Sequence, residues 1–363
     1  MIDLDDEAAL RAADPGGMLE VVLGLPGDCR AGYALGRSAT PLPSIDDATA
    51  IAFCGMGGSG IAGDVIAALG AERLRVPVRV IRSPELPAWC GPSSLILVSS
   101  YSGNTGETLD LFDQAVARGA RAVAITSGGE LAARAEAAAV PCLRLPAEFA
   151  MPRAAFGYLA MAPLGALEAM GSPARPAGEL EEAAGALERI VESSRPAVPS
   201  ARNPGKSLAL RIGERAPVIW GAEGIGAVAA SRWKTQLNEN AKVPAFAAAL
   251  PELDHNEVVG WSPGRGEGFV LVVLRHGAEH PDVASRFPLS MEIAAASGME
   301  VVEVRAEARS PLGAVLELVL LGDLVSTYLA LARGVDPTPI EAIARLKRAL
   351  AESPTEPPGG GGS

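Results

Sequence analysis

The segment LILVSSYSGNTGETLDLF, residues 95–112, decides how the first half of this chain folds. Its apolar start predicts a buried strand, and the amphipathic pattern after Thr105 predicts a helix. The turn between them holds Ser100, Ser102 and Thr105, so three hydroxyls lie beside the unpaired N–H groups of a helix N-terminus. Such a junction can bind an anion, although a plain capped turn has the same composition. Because it contains no Lys or Arg, it favours one phosphate group over a triphosphate.

The overall composition narrows the class of protein. A chain of 363 residues is longer than one average domain, so about two domains are expected. Apolar residues make up 48% and aromatic residues only 4%, which favours helices packed closely on sheets. The net charge of −12 opposes binding to nucleic acid, whose phosphates need a basic surface. An anionic metabolite stays compatible with this charge, because one local site can be positive on an acidic protein.

Charge, apolar runs and cysteines together predict a soluble, cytoplasmic protein with no membrane partner. The N-terminus, MIDLDDEAAL, is acidic, whereas a secretory segment begins with basic residues. No apolar run is expected to reach the roughly 18 residues that span a bilayer. The four cysteines are scattered, without metal-ligand spacing, as is typical of reduced thiols (Cys29, Cys54, Cys90 and Cys142).

Short apolar runs alternate with helical patterns over residues 50–146. Strands separated by helices of about 10–15 residues are typical of βαβ units and a parallel sheet. Right-handed connections then place the helices on both faces of the sheet. The predicted strands are 51–54, 76–81, 95–100, 120–126 and 140–146. The predicted fold class is therefore α/β.

The second half of the chain repeats this plan. Its apolar runs are 216–221, 268–275 and 299–307, and helices are predicted at about 313–333 and 339–351. Where the first half has the turns GMGGSG and SSYSGNT, the second has GAEGIG and RHGAEHP. Because the RHGAEHP turn lacks the hydroxyls, we expect one phosphate site per chain.

These patterns divide the chain into five parts. An N-terminal helical segment covers 1–45, and an α/β domain that binds the phosphate covers 46–170. The segment 171–206 is predicted to be a linker built around one exposed helix. Residues 207–352 form the second α/β domain with C-terminal helices. Residues 353–363, SPTEPPGGGGS, are a predicted flexible tail, since they contain no core-forming residues.

The turn after the first strand has two interpretations. GMGGSG at 55–60 matches the G-x-G-x-x-G fingerprint of a dinucleotide-binding fold. That fold places an acidic residue near the end of the next strand, where this chain has VIRS at 80–83. A dinucleotide-binding fold also does not require the hydroxyl-rich turn. We therefore favour a sugar phosphate, which Gly57 and Gly58 allow to approach the backbone and which Ser59 helps to bind.

Together the two turns resemble the sugar isomerase (SIS) domain, a flavodoxin-like α/β unit that binds phosphosugars. Three further motifs extend the resemblance, PRAA at 152–155, NENAK at 238–242 and PELDHNE at 251–257. The five motifs in this order resemble the bifunctional phosphoglucose/phosphomannose isomerases, which contain two SIS domains. The resemblance implies a homodimer that interconverts glucose 6-phosphate and mannose 6-phosphate with fructose 6-phosphate, using no cofactor and no metal.

The resemblance assigns the proton transfers to two residues. Moving a proton between C1 and C2 through a cis-enediol needs one base, and a carboxylate shielded from water suits that role. Glu239 matches the family's base, although by itself it would pair equally well with Lys234 or Lys242. His255 matches the residue that opens the sugar ring, and in relatives that residue reaches the site of the neighbouring subunit.

Two cations complete the implied set. Arg153 matches the residue that stabilises the negative enediolate. Lys347 resembles the lysine at the ring oxygen, although an exposed helical lysine fits its surroundings as well. Thr338 is a candidate for the threonine that accompanies activity on both epimers. The other histidines, His276 and His280, lie on a polar loop and are expected to be solvated.

Two other classes of protein remain as alternatives. A regulatory SIS protein would bind a phosphosugar without turnover, but it would not require the Glu, His and Arg set. A dinucleotide-dependent oxidoreductase would bind NAD(P) at the first glycine-rich turn. The chain has no H-E-x-x-H motif or clustered His and Asp, unlike zinc-dependent phosphomannose isomerases.

Overall fold

The computed structural model describes residues 2–172 and 177–352. Three helices come first in the chain, α1 (Glu7–Ala13), α2 (Met18–Leu23) and α3 (Leu25–Ser38). A five-stranded parallel sheet follows, with the strand order β2-β1-β3-β4-β5. Its strands are β1 (Ala50–Gly55), β2 (Val78–Ile81), β3 (Ser94–Ser99), β4 (Arg121–Thr126) and β5 (Cys142–Arg144). The helices of this half are α4 (Gly57–Gly70), α5 (Gly106–Ala117), α6 (Gly129–Ala137) and α7 (Phe156–Ala169).

The second half contains a four-stranded parallel sheet with the order β7-β6-β8-β9. Helices α8 (Ala177–Ser193) and α9 (Pro204–Ile212) precede it. The strands are β6 (Ala216–Ala222), β7 (Phe246–Leu250), β8 (Phe269–Arg275) and β9 (Glu300–Arg305). The helices are α10 (Ile225–Glu239), α11 (Pro281–Ala284), α12 (Phe287–Ala296), α13 (Pro311–Ala332) and α14 (Glu341–Glu352). The α/β class predicted from the strand–helix alternation is confirmed in both halves.

Both sheets share the strand order of the flavodoxin-like fold. In each, the first strand lies between the second and the third, so the chain leaves it in opposite directions. The carboxyl ends of β1 and β3 form such a switch point, where α/β proteins bind ligands. Every residue of β1 and β3 is buried, because helices cover both faces of the sheet.

Helix α3 and strand β7 are two of the elements that the sequence did not predict. Helix α3 contains glycines that interrupt its helical pattern, but a Cβ on Gly36 would collide with the α7 backbone at Ala162. Close packing of α3 on α7 therefore requires that glycine. Strand β7 has the sequence FAAAL at the sheet edge, and its alanines give neither the alternation nor the bulk that predicts a strand.

The helix of the proposed linker, α8, differs from expectation. Its residues Leu180, Ala183, Leu187 and Val191 are buried, and the helix packs against α3 and α13. The prediction of an exposed linker helix is therefore wrong, because the apolar stripe is wide enough to join the core. The predicted tail, residues 353–363, lies outside the described residues.

Helix α13 is the main apolar helix of the molecule. Contrary to the sequence analysis, Pro311–Ala332 is long and apolar enough to cross a membrane by length and composition. However, 94% of its most apolar window is buried inside the protein. It contacts α2, α8, α9 and α10, as the central helix of a soluble core does.

Candidate active site

The two turns predicted to bind a phosphosugar begin side by side. Gly55 at the end of β1 pairs with Ser99 at the end of β3. Gly57 starts α4 with φ +54°, a conformation that favours glycine. A Cβ on Gly58 would lie 3.1 Å from the backbone nitrogen of Arg153, so this glycine allows the segment carrying Arg153 to approach the helix N-terminus.

The hydroxyl-rich turn brings two of its side chains together. Ser100 is buried, and its Oγ donates to Thr105 Oγ1 at 3.0 Å. Thr105 is the residue before α5, and within the described chain its side chain makes no capping bond to that helix. Ser102 is exposed, and its Oγ accepts from the Asn104 N–H at 3.3 Å. Ser59 is buried in the first turn of α4.

Arg153 and Glu239 meet although they are distant in sequence. Arg153 Nη1 lies 3.3 Å from Glu239 Oε2. The Arg153 side chain is only 2% exposed, whereas that of Glu239 is 26% exposed at the end of α10. Burial lowers the pKa of Arg153, and the charge of Glu239 opposes that shift. The pair therefore places a fixed positive charge beside a carboxylate that solutes can reach.

A network of buried polar groups holds Arg153 in this position. Its Nε donates to Asn240 Oδ1 at 2.8 Å, and Asn240 Nδ2 donates to Ser326 Oγ at 3.0 Å. Arg232 pairs with Asp323 through two hydrogen bonds of 3.0 and 2.7 Å. Arg232 Nη2 also donates to the Arg153 carbonyl at 2.9 Å. The Asn240 acceptor therefore fixes one side of the guanidinium, and the Arg232 donor fixes the main chain of Arg153.

The loop after α13 is bound to the same site. Arg153 Nη2 donates to the carbonyls of Pro337 and Thr338 at 2.7 and 2.9 Å. Lys242 Nζ donates to the Glu239 carbonyl at 2.7 Å and to the Pro337 carbonyl at 3.2 Å. Burial lowers the pKa of Lys242, and the charge of Arg153 acts in the same direction. Lys242 therefore contacts the main chain of Glu239 rather than its carboxylate.

A cavity of about 290 Å³ brings several of the predicted residues together. Gly57, Gly58, Arg153 and Glu239 all line it. Further lining residues that the sequence analysis did not select come from the two halves of the chain: Ile61, Asp64, Arg82, Ser231, Arg232, Thr235 and Gln236. One signal was Asp323, the partner of Arg232, because it is a charge within the largely apolar helix α13.

Seven residues selected from the sequence lie outside this cavity lining: Ser59, Ser100, Ser102, Thr105, His255, Thr338 and Lys347. His255 is exposed at the end of a short 3-10 helix, Glu252–His255. Lys347 is exposed on α14. Thr338 contacts Arg153 through its carbonyl, whereas its Oγ1 is buried beside Gly16. Within one chain the structure therefore does not bring His255 or Lys347 to Glu239.

In the second half, the RHGAEHP turn at 275–281 corresponds to the hydroxyl-rich turn, and its own side chains fill it. Glu279 accepts from the His276 N–H at 2.8 Å and pairs with Arg275 at 2.7 Å. His276 is 4% exposed, and burial lowers its pKa, so the expectation of a solvated His276 is wrong. His280 is exposed, as expected. An internal carboxylate thus occupies the turn that carries hydroxyls in the first half.

Comparison with known proteins identifies the domains and then the family. The family model of the SIS domain matches residues 44–170, and that of the bacterial phospho-glucose isomerase C-terminal SIS domain matches residues 201–350. The chain is thus a protein of two SIS domains. A hypothetical protein of Thermus thermophilus has a similar fold, with a TM-score of 0.73, 18% identity and coverage of 96% of this chain and 94% of that one.

Curated relatives are similar over most of their length. The bifunctional phosphoglucose/phosphomannose isomerase of Caldicellulosiruptor bescii is 35% identical over 337 residues, covering 92% of this chain and 99% of that protein. The enzyme of the same name from Aquifex aeolicus is 36% identical over 302 residues, covering 83% and 90%. The chain belongs to the family of bifunctional phosphoglucose/phosphomannose isomerases, which confirms the resemblance noted in its motifs.

Proposed function

We propose that this protein is an aldose–ketose isomerase that interconverts glucose 6-phosphate and mannose 6-phosphate with fructose 6-phosphate. The observation that carries the proposal is the Glu239 carboxylate held 3.3 Å from the buried Arg153 guanidinium, in a cavity that begins at the N-terminus of α4. Family membership supports the reaction, and this geometry supports the roles of the residues.

The proposed chemistry divides between the carboxylate and the guanidinium. Glu239 takes the proton from C2 of the open aldose and returns it to C1, through a cis-enediol. Arg153 stabilises the negative charge that develops on the oxygens of C1 and C2. A buried arginine suits this role because it carries a positive charge and does not exchange protons. Glucose, mannose and fructose 6-phosphates share this 1,2-enediol, so either aldose can be formed from it or converted to it.

The phosphate is proposed to bind at the switch point between β1 and β3. Gly57, Gly58 and Ser59 belong to the first turn of α4, and Ser100 and Thr105 converge before α5. Two helix N-termini therefore supply N–H groups to one anion. Ser102, which is exposed on the same turn, is proposed to close the site from the solvent side.

The homodimer and the role of His255 are further parts of the proposal. The segment that carries His255 is anchored, because Asp254 accepts from Ser290 Oγ at 2.7 Å. A second 3-10 helix, Glu257–Gly260, contacts α12, and the two expose Val259 (76%), Leu289 (64%) and Ile293 (43%). We expect this apolar surface to be covered by a second copy, which would receive His255 at its own cavity.

Lys347 has the weakest structural support. It lies on α14, whose apolar residues Ile343, Leu346 and Leu350 are all exposed. A role at the ring oxygen requires the substrate-bound dimer to bring this helix close to the cavity.

The buried position of α13 fits the expectation of a soluble protein, and we infer a cytoplasmic location from the metabolic reaction.

A coupled assay with glucose 6-phosphate and mannose 6-phosphate tests the reaction. Turnover of neither substrate at micromolar enzyme would refute the proposed activity. Glu239→Gln is expected to lose at least about 1,000-fold in kcat while still binding fructose 6-phosphate, because it removes the base but preserves the shape. Lys234→Gln, on the same helix but outside the cavity lining, is the matched control and should stay within about twofold of the wild type.

Mixing two inactive variants tests the shared site. If His255 acts in the partner's cavity, a heterodimer of His255→Ala and Glu239→Gln chains contains one intact site. After subunit exchange about half of the dimers are mixed, so about a quarter of the wild-type activity should return. A mixture that exchanges subunits but stays inactive would place His255 in its own subunit's site or remove it from the mechanism.

A further inference from the structure

The cavity contains a buried acceptor that the proposed mechanism does not use. Gln236 lies on α10 three residues before Glu239, so both side chains project from the same face of the helix. Gln236 lines the cavity together with Arg153 and Glu239, and it is only 2% exposed. Its Oε1 is buried without a hydrogen-bond partner in the described part of the chain.

The neighbouring ion pair determines which way the amide of Gln236 points. Burial raises the pKa of Asp323, and hydrogen bonds from Arg232 and from the Gln236 side chain oppose that rise. An ionised carboxylate only accepts hydrogen bonds, so the amide must turn its NH₂ group toward Asp323. Because Arg232 holds Asp323 through two hydrogen bonds, the carboxylate that the amide faces stays in place. Oε1 is therefore directed away from the ion pair.

An unpartnered acceptor of this kind requires a donor from outside the chain. Buried polar atoms in folded proteins are almost always hydrogen-bonded, and an exception inside a cavity points to a ligand group. Arg153, which lines the same cavity, donates to Asn240, Glu239, Pro337 and Thr338. A neutral acceptor that is fixed by a buried ion pair selects a hydroxyl donor at a defined position.

We propose that Gln236 Oε1 accepts a hydrogen bond from the C3 or C4 hydroxyl of the bound phosphosugar. This inference rests on the proposed isomerase function, which assigns the oxygens of C1 and C2 to Arg153. Glucose, mannose and fructose 6-phosphates share one configuration at C3 and at C4 and differ only at C1 and C2. Gln236 would therefore recognise what the substrates have in common, without preference for either epimer at C2.

Gln236→Met tests this inference, because methionine has a similar length but a much weaker acceptor. We expect kcat/KM for glucose 6-phosphate and mannose 6-phosphate to fall by the same factor, about 10- to 100-fold, with their ratio unchanged. One of two analogues, 3-deoxy- or 4-deoxyglucose 6-phosphate, lacks the hydroxyl that donates to Gln236. With that analogue, kcat/KM of the variant should equal that of the wild type within about twofold. Lys234→Met is the matched control on the same helix and should leave all of these values within about twofold of the wild type.

An equal loss on both deoxy analogues would overturn the inference, because a merely structural role lowers activity on every substrate alike. A change in the glucose-to-mannose ratio would also overturn it. If Gln236→Met does not fold, the wild-type enzyme still tests the inference. Its kcat/KM for one of the two deoxy analogues must then be about 10- to 100-fold lower than for glucose 6-phosphate. If the wild type turns over neither aldose phosphate, the proposed function fails, and calorimetric binding of the two deoxy analogues still tests Gln236.

Discussion

Replacing Asn240 with alanine separates the positioning of Arg153 from its charge. Asn240 is fully buried at the end of α10. It accepts from Arg153 Nε at 2.8 Å and donates to Ser326 Oγ at 3.0 Å. The variant keeps Arg153, Glu239 and their ion pair, but it removes the acceptor that fixes one side of the guanidinium. Asn240→Ala therefore perturbs orientation without changing any charge.

The expected magnitudes follow from the two hydrogen bonds. A bond to a charged donor contributes about 1.5–3 kcal/mol and a neutral one about 0.5–1.5 kcal/mol, so the free energy of unfolding should fall by about 2–4 kcal/mol. Arg153 keeps three of its four acceptors, so it should remain near Glu239 but misaligned. A small misplacement of a catalytic group costs about 10- to 100-fold in kcat, whereas KM should change by no more than about threefold.

Urea denaturation and steady-state kinetics on both aldose phosphates measure these effects. Ser326→Ala is the matched control, because it removes the bond from Asn240 Nδ2 and the one that Ser326 Oγ donates to the Asp323 carbonyl, but leaves Asn240 Oδ1 bonded to Arg153. It should lose about 1–3 kcal/mol for the two neutral bonds and retain its kcat within about twofold. A folded Asn240→Ala protein with wild-type kcat would refute the positioning argument. An equal loss of kcat in Ser326→Ala would attribute the effect to general loosening of the core.

Three further predictions concern the phosphate turn, a buried carboxyl and the central ion pair. Ser100→Ala should raise KM for either aldose phosphate about 5- to 20-fold by removing a proposed phosphate ligand; Ser99→Ala, which removes a neighbouring buried hydroxyl outside the proposed set, should leave KM unchanged, and an equal rise in both would contradict the assignment. Burial raises the pKa of Asp28 to about 6 from an unfolded value of 3.8, so its proton is bound more tightly in the folded state and stability is lost as pH rises from about 4 to 6. Asp28→Asn should therefore raise the free energy of unfolding by about 1–2 kcal/mol at pH 8 and by little at pH 4; a gain that is independent of pH would contradict this. Arg232→Met should lower the free energy of unfolding by about 3–5 kcal/mol, because it leaves Asp323 buried without its cation, and a loss below about 1 kcal/mol in urea denaturation would show that the pair is not desolvated.

Local patterns predict the elements on the proposed phosphate side of the site. The apolar run and the hydroxyl-rich turn at residues 95–112 predict β3 and the start of α5, which the structure contains at Ser94–Ser99 and Gly106–Ala117. These features depend on neighbouring residues, so a short window of sequence contains the necessary information. The duplicated strand–helix plan is predicted for the same reason.

Other features cannot be predicted from a short stretch of sequence, because their causes lie elsewhere in the chain. Strand β7 is recognisable only beside β6, since its alanines carry no pattern of their own. His276 is buried because the Arg275–Glu279 ion pair folds its polar loop inward, which no loop composition predicts. Gln236 also becomes a candidate ligand only when Asp323, 87 positions away in the sequence, orients its amide.

The sequence by itself determined the α/β class, the two SIS domains, the hydroxyl-rich turn and, through its motifs, the family. Each of these depends on residues that are close together in the chain or on short patterns in a fixed order. Only the tertiary structure decided that Arg153 lies against Glu239, that Asn240 and Asp323 hold the site from behind, and that His255 faces outward from its own subunit. The physical reason is that these contacts join segments far apart in the sequence. They form only when the two sheets and the helices between them pack around a common core.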